Sequence, residues 1–144
     1  MTRSTPLRAL APLLVLLLAA CASAGGGAGG ATPQEQVMRR AAERWQYLID
    51  KQPEKAWEYL SKGVRSAKPQ AEYAVEMKAR PVKWLSVEPL EADCEGDRCD
   101  VHLKLVYEVA IPGMASEPMQ TPSYLDERWI RQDGRWVHVP KEYL

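Results

Sequence analysis

The first segment whose pattern predicts regular structure covers residues 32–50. Its apolar and polar positions repeat with the period of an α-helix. Its start is marked by Thr32, Pro33 and Glu35, which supply an N-cap, a proline at the first helical position and a capping-box carboxylate. The apolar residues that then recur three or four positions apart are Val37, Met38, Ala41, Ala42, Trp45, Leu48 and Ile49. This spacing predicts an amphipathic helix that ends near Asp50.

Two shorter helical segments follow, and each begins at a proline. The second helix is predicted to run from Pro53 to Gly63, and the third from Pro69 to a point before Pro81. Their predicted buried sides are Ala56, Trp57 and Leu60 in the second helix, and Tyr73, Ala74 and Met77 in the third. The sequence therefore predicts three helices before any strand.

After Pro81 the spacing of apolar residues falls from about 3.6 positions to 2, which is typical of strands. The alternation is strictest at Val101, Leu103, Leu105, Tyr107 and Val109. Asp133 and Gly134 are a two-residue hairpin signal that joins the last two strands. The predicted strands cover residues 82–87, 101–109, 124–131 and 135–139. Helices followed by an antiparallel meander indicate an α+β fold.

A long connection is predicted between the two middle strands, from Pro112 to Pro122. It contains Met114 and Met119, whose side chains adapt their shape to a contact surface. One interpretation is a long hairpin connection without a binding role. The other is a lip or partner-binding patch, because long loops on rigid scaffolds often carry binding sites.

Two parts of this pattern resemble the nuclear transport factor 2-like superfamily. They are the segment 55–61 with Arg65 and Tyr73, and the terminal strands over residues 127–136. The resemblance implies three N-terminal helices packed on a curved, mainly antiparallel sheet of about four strands, here within residues 33–144. Such a cone has a pocket at its open end, which family members use as an isomerase or dehydratase site, as a ligand site, or merely as packed core.

The same resemblance implies which side chains would line that pocket. The candidates are Tyr73, Trp84, Tyr107 and Trp129. The five tryptophans otherwise suggest core packing more than carbohydrate stacking, because they lie on apolar helix faces or among alternating aliphatic residues. No catalytic residue of the superfamily matches this sequence position by position, although acids and tyrosines such as Asp126, Tyr107 and Tyr124 are present.

The beginning of the chain has the pattern of an export signal. Arg3 and Arg8 precede an apolar segment from Ala9 to Ala20, which is too short to span a bilayer. Its end, Leu18-Ala19-Ala20-Cys21, resembles the bacterial lipobox. Residues 1–20 are therefore predicted to be a lipoprotein signal peptide, and Cys21 to carry the lipid. The alternative is an ordinary secretory signal with cleavage near the same residues.

Residues 21–32 then form a tether, because the residues after Cys21 are almost all alanine, glycine and serine. Ala22 stands where an aspartate would retain such a lipoprotein in the inner membrane, so the resemblance implies the outer membrane, facing the periplasm. Removal of residues 1–20 leaves 17 basic and 19 acidic side chains. This slightly negative charge argues against nucleic-acid binding.

Cys94 and Cys99 are the two cysteines that remain after Cys21 is assigned to the lipid. They flank a turn, and an oxidising envelope favours a disulfide between them. A zinc site is the alternative, but His102 would supply only a third ligand, and the spacing matches no common zinc motif. The sequence therefore predicts a structural disulfide and no metal site.

The remaining candidate chemistry is sparse. His102 lies on the polar side of its predicted strand, and His138 shares a side with Trp136. Lone strand histidines of this kind are more often packed or solvated than catalytic. The chain also lacks a phosphate-binding glycine loop, a nucleophile elbow and a zinc-protease motif. No cofactor or catalytic residue is therefore predicted.

Three functional hypotheses remain. The favoured one is a membrane-anchored envelope lipoprotein whose domain binds a protein partner or a small ligand without catalysis. The second is a small-molecule isomerase or dehydratase that uses the cone pocket. The third is a structural component of an envelope assembly. An enclosed pocket with a perturbed acid would favour the enzyme, and a filled cone with an exposed apolar patch would favour the binding protein.

Overall fold

The computed structural model describes Met1 and residues 30–109 and 118–144. The predicted signal peptide, Cys21 and most of the tether lie outside the described residues, as do residues 110–117 of the predicted loop. The helices are α1 (Pro33–Ile49), α2 (Pro53–Trp57), α3 (Lys62–Ala67) and α4 (Gln70–Ala79). The strands are β1 (Lys83–Glu95), β2 (Arg98–Val109), β3 (Met119–Gln132) and β4 (Arg135–Val139), followed by a 3-10 turn, Lys141–Tyr143.

Helix α1 begins with the predicted capping box. The Thr32 hydroxyl accepts from the Glu35 backbone N–H at 3.2 Å, and the Glu35 carboxylate accepts from the Thr32 N–H at 2.7 Å. The Thr32 N–H and the Thr32 hydroxyl both donate to the Glu35 carboxylate, and these two bonds lower the pKa of Glu35 because they favour its charged form. The helix buries Val37, Ala41, Arg44, Trp45 and Leu48 against the sheet.

The predicted arrangement of three nuclear transport factor 2-like helices on a sheet is wrong, because four helices precede the strands in the described residues. The predicted second helix is interrupted after Trp57. There, the His138 N–H donates to the Tyr59 carbonyl at 2.7 Å, and the Ser61 N–H donates to the His138 carbonyl at 2.9 Å. The Tyr59 carbonyl and the Ser61 N–H thus pair with the edge of β4 and not within a helix. An edge strand has backbone donors and acceptors free for such pairing.

A new helix then starts at once, because Ser61 acts as its N-cap. The Ser61 hydroxyl accepts from the Val64 backbone N–H at 3.4 Å. Gly63, which the sequence suggested as a helix end, consequently lies inside α3.

The four strands form one antiparallel sheet in the order β1-β2-β3-β4. The β3–β4 turn has positive φ at both Asp133 (49°) and Gly134 (75°), as a two-residue hairpin of this type requires. β1 continues to Glu95, well past the predicted end, with register shifts on both sides of Val87. It tolerates Pro89 because it is an edge strand.

β3 begins earlier than predicted. Met119 already pairs with Val109, and Pro122 pairs with Val106, so the connection between the two strands is shorter than the predicted loop. Met119 remains 57% exposed. The hypothesis that this connection forms a lip or a partner patch stays a prediction, because residues 110–117 lie outside the described part of the chain.

The inner side of the sheet carries the core. Its fully buried strand residues include Cys99, Val101, Leu103 and Trp129. Cys94 and Cys99 face each other at the end of the β1–β2 hairpin with Cα atoms 4.0 Å apart, and they are joined by a disulfide. Among the helices that the structure describes, none is both long and apolar enough for a membrane span.

Candidate ligand cavity

A cavity of about 290 Å³ lies between the helices and the inner side of the sheet. Its buried floor consists of Arg44 from α1, Tyr73 from α4, Glu127 from β3 and His138 from β4. The exposed part of its lining comes from Arg80 after α4, from Asp126 of β3, and from the C-terminal turn, including Lys141 and Glu142. The cavity therefore opens toward solvent between α4 and the C-terminus.

The floor is organised around the Glu127 carboxylate. Arg44 Nη1 lies 2.8 Å from Glu127 Oε1, and both side chains are less than a tenth exposed. The indole N–H of Trp45 donates to the same oxygen at 2.8 Å, and that of Trp129 donates to Oε2 at 3.1 Å. Three side-chain donors on two elements, α1 and β3, thus converge on this buried carboxylate.

Arg44 links this carboxylate to Tyr73. Burial, the largest single influence, disfavours the guanidinium charge, but Glu127 and Tyr73 together outweigh it and raise the pKa of Arg44 above its usual value. Arg44 Nη2 donates to the Tyr73 hydroxyl at 3.3 Å. The Tyr73 proton has no acceptor among the described residues, so this hydroxyl can still donate a hydrogen bond.

His138 completes the floor as a neutral ring. Burial, partly offset by Glu127, lowers the pKa of His138 to about 4. Its Nδ1 lies 3.1 Å from the Arg128 carbonyl, which can only accept, so Nδ1 carries the proton. Nε2 is therefore an acceptor, and it stands 3.9 Å from Glu127 Oε1, too far for a hydrogen bond.

The cavity walls above this floor are apolar and aromatic. Trp45 and Trp84 meet edge to face with ring centroids 5.5 Å apart. Leu48 and Met77 line the same wall. A neighbouring cavity of about 310 Å³ shares Leu48, Met77, Arg80 and Trp84 with the first.

The rim carries paired charges. Glu76 accepts from both Lys68 and Arg80. The hydrogen bond from Lys68 and that from Arg80 lower the pKa of Glu76, although partial burial opposes this effect. Together with Asp126, Lys141 and Glu142, the rim carries three cations and three acids, so it adds no net charge to the mouth of the cavity.

The structure brings together part of the predicted pocket lining. Tyr73 and Trp84 line the cavity, whereas Trp129 lies fully buried below it and donates to Glu127. Tyr107 pairs with Trp84 across β1 and β2 but lines neither this cavity nor the neighbouring one. Cys94 and Cys99 stand apart from the cavity lining.

Sequence reasoning missed three of the four floor residues, although each leaves a signal. Arg44 falls on the apolar stripe of α1, one turn after Ala41 and one turn before Leu48. Glu127 shares the inner side of β3 with Trp129, where an apolar residue would be expected. His138 shares a side of β4 with the buried Trp136, where an apolar residue would also be expected. A charged residue on an otherwise buried side indicates a polar cluster.

The other histidine lies on the outer side of the sheet, as the alternation indicates. His102 Nδ1 is 2.7 Å from Asp126 Oδ1, and the ring stacks on Tyr124 with centroids 6.0 Å apart. Within residues 30–109 and 118–144, no three histidine, cysteine or acidic side chains are grouped so that they could hold a metal ion.

The fold is similar to that of a SEC-C motif containing protein from Rhodopseudomonas palustris, whose structure was solved in solution. The two share 13% sequence identity with a TM-score of 0.55, over 70% of this chain and 73% of that one. This likeness concerns the fold alone. No protein-family model and no curated protein matches the sequence. Fold and cavity together define a small domain in which helices and one antiparallel sheet enclose a polar-floored pocket.

Proposed function

We propose that this chain is a lipid-anchored envelope protein whose cavity binds a small uncharged ligand. The observation that carries the proposal is the cavity floor, where a buried Arg44–Glu127 pair lies beside two unused hydrogen-bonding groups. These groups are the Tyr73 hydroxyl, which can donate, and His138 Nε2, which can accept. A few placed polar groups in an apolar cavity are typical of ligand sites.

The charges on the floor favour an uncharged ligand. Glu127 compensates Arg44, and His138 is neutral at pH 7 because burial lowers its pKa to about 4. A ligand with a net charge on this floor would lose its hydration without gaining an unpaired partner of opposite sign there. A hydroxyl or amide group could instead use both Tyr73 and His138.

The size of the cavity limits the ligand further. Its volume of about 290 Å³ equals that of about ten water molecules at liquid density. This space suits a small organic molecule with an apolar body against Trp84 and Met77 and one polar end on the floor.

The contacts of Glu127 fit a role in ligand binding better than a role in catalysis. An acid or base that transfers a proton must reach the substrate, whereas both oxygens of Glu127 are already held by Arg44, Trp45 and Trp129. His138 is the group that would favour an enzyme, since Nε2 borders the cavity as a free base. A turnover that is lost in His138→Gln but retains ligand binding would support that alternative.

The anchoring part of the proposal rests on the sequence. Leu18-Ala19-Ala20-Cys21 resembles a lipobox, and Ala22 resembles the corresponding residue of outer-membrane lipoproteins. The tether through Thr32 leads directly into the capping box of α1. We infer that lipid on Cys21 holds the domain at the periplasmic side of the outer membrane, where its cavity takes up a ligand.

An uncharged fluorescent dye tests the cavity. N-phenyl-1-naphthylamine brightens in apolar surroundings and carries one N–H that can donate to His138. The full chain with Cys21→Ser, which lacks the lipid acceptor, should bind this dye saturably. Met77→Trp should abolish that binding because it adds a large ring to the wall between the two cavities.

The matched control is Met119→Trp, which makes the same substitution at an exposed position of β3. Because the apolar segment before Cys21 could also take up dye, the decisive comparison is between variants that share it. Equal saturable binding by both variants would show that the cavity is not the binding site. In that case a protein partner or a structural role in an envelope assembly becomes the better hypothesis.

A further inference from the structure

A second concave surface lies away from the ligand cavity. It is bordered by α1, by α2 and α3 with the segment between them, and by the β3–β4 hairpin, and it encloses about 520 Å³. Its lining includes Arg40, Arg65 and Arg135, and we call it the arginine groove. It shares no lining residue with the ligand cavity.

Two of these arginines are held against aromatic rings. The Arg40 guanidinium carbon lies 4.0 Å from the centroid of the Tyr59 ring, and that of Arg65 lies 5.2 Å from the Trp57 ring. Contact of this kind uses the flat face of the guanidinium and leaves its N–H edge available. The two arginines are therefore oriented before any ligand arrives.

Both rings are themselves held in place. The Tyr59 hydroxyl donates to Glu43 at 3.1 Å, and the Trp57 indole N–H donates to the Lys68 carbonyl at 2.9 Å. Burial, reinforced by the nearby Glu43 carboxylate, raises the pKa of Tyr59 to about 12, so the ring under Arg40 stays neutral. Arg40 Nε donates to the Trp136 carbonyl at 3.1 Å, which leaves its two terminal nitrogens for a ligand.

The charge of the groove is not balanced from within. Lys62 is paired with Asp133 at 2.6 Å, but Arg40, Arg65 and Arg135 have no ion pair among the described residues. Arg65 Nε is buried without a hydrogen-bond partner among those same residues. Glu58 is the remaining acidic residue of the lining, so the arginines leave a net positive charge of about two.

We propose that the arginine groove binds a phosphate monoester group. A phosphate dianion would neutralise the excess charge, and its oxygens match the paired N–H donors of oriented guanidiniums. Such a group could come from a soluble phosphate ester or from the headgroup of a membrane lipid. This inference is independent of the ligand cavity, because the two sites share no residue.

Isothermal titration of the full chain with glycerol 3-phosphate tests the proposal, with uncharged glycerol as the control ligand. The chain should bind glycerol 3-phosphate saturably and glycerol not at all. Arg65→Gln should weaken the affinity by about tenfold, as expected for loss of a charge-assisted hydrogen bond. Arg65→Lys should weaken it as well, because lysine keeps the charge and loses the planar pair of donors.

Arg98→Gln is the matched control, because Arg98 is an exposed arginine outside the groove and pairs with Glu95. It should change the affinity by less than about twofold. Arg135→Gln gives a second groove variant at an exposed hairpin position, in case Arg65 proves necessary for folding. It should also weaken binding more than the control does.

Vesicles that contain phosphatidic acid in a phosphatidylcholine background distinguish the lipid source from the soluble one. Groove-dependent binding to these vesicles alone assigns a lipid headgroup, and groove-dependent binding of glycerol 3-phosphate assigns a soluble ester. The proposal is overturned if neither binds the unaltered groove, or if Arg98→Gln weakens binding as much as the groove variants do.

Discussion

Two neighbouring acids on β3 pair with two histidines on opposite sides of the sheet. Asp126 contacts His102 on the outer side at 2.7 Å, with side chains 64% and 41% exposed. Glu127 stands 3.9 Å from His138 on the inner side, where both are less than a tenth exposed. The residue types are nearly the same, yet only the outer pair is joined by a hydrogen bond.

Burial accounts for the difference. On the outer side, water solvates both groups, and a contact between them costs little. On the inner side, Glu127 takes a permanent cation, Arg44, together with two indole donors, and His138 loses its charge and turns Nδ1 to a backbone carbonyl. The inner pair thereby keeps an unused acceptor, Nε2, which is the feature that suits it to a ligand.

The largest expected effect comes from replacing the inner acid. Glu127→Gln removes the charge that compensates buried Arg44, and it should lower the free energy of unfolding by about 3–5 kcal/mol. Asp126→Asn, at the adjacent exposed position, should change it by no more than about 0.5 kcal/mol. Urea unfolding of both variants at pH 7 measures this contrast. Equal losses of unfolding free energy would show that the inner and outer acids do not differ in their contribution to stability.

The pH dependence of stability separates the two histidines. Burial lowers the pKa of His138 to about 4 from 6.5, so the unfolded chain binds more protons between these values. The free energy of unfolding should therefore fall by about 3 kcal/mol from this group as the pH drops through that window, and the full contribution should be present above it. Denaturant unfolding at several pH values follows this loss.

The control for this pH effect is a pair of variants. His138→Gln should remove the part of the loss that comes from His138 between pH 6.5 and about 4, whereas His102→Gln should retain it. Carboxylates that titrate in the same range contribute equally to both variants, so the difference between the two profiles isolates His138. A profile that is unchanged in His138→Gln would mean that His138 is not a buried neutral ring.

The disulfide should have a smaller effect than either change on the inner side. It closes a loop of only a few residues, since Cys94 and Cys99 are five positions apart. Replacement of both by alanine should lower the free energy of unfolding by about 2 kcal/mol and leave the fold intact. Thermal unfolding with and without a reductant gives the same quantity independently, and identical melting in both conditions would contradict it.

The anchor should have the smallest effect on stability. Cys21→Ser would remove the proposed lipid acceptor, which precedes α1 in the chain, so unfolding of residues 33–140 should be unchanged. Membrane fractionation should nevertheless change completely, because the proposed acyl chains could no longer be attached. Mass spectrometry of the protein from its native host checks the prediction directly, and an unmodified Cys21 would refute the anchor.

Local signals in the sequence predicted the parts of the fold that depend on neighbouring residues. Thr32 and Glu35 cap α1 as expected, and Asp133 and Gly134 form the expected hairpin turn. The helix count was wrong because the interruption after Trp57 depends on the distant edge of β4. No local pattern contains that contact.

The cavity floor was also beyond local reasoning. Arg44 and Glu127 are separated by 83 positions, and each alone is an ordinary charged residue. They pair because α1 packs on the inner side of the sheet. The order of the elements along the chain does not determine which residues of α1 meet β3. Tyr73 and Trp84 were predicted for the pocket by resemblance, but the polar groups that would orient a ligand were not.

The central claim is that Nε2 of His138 is a free acceptor that a ligand engages. Nitrogen-15 NMR of the two histidine rings at pH 7, with and without N-phenyl-1-naphthylamine, tests it most directly. We expect His138 to show a proton on Nδ1 only, and its Nε2 signal to move on dye binding while both His102 signals stay fixed. A charged His138 ring, or a dye that moves His102 and leaves His138 unchanged, would contradict the account.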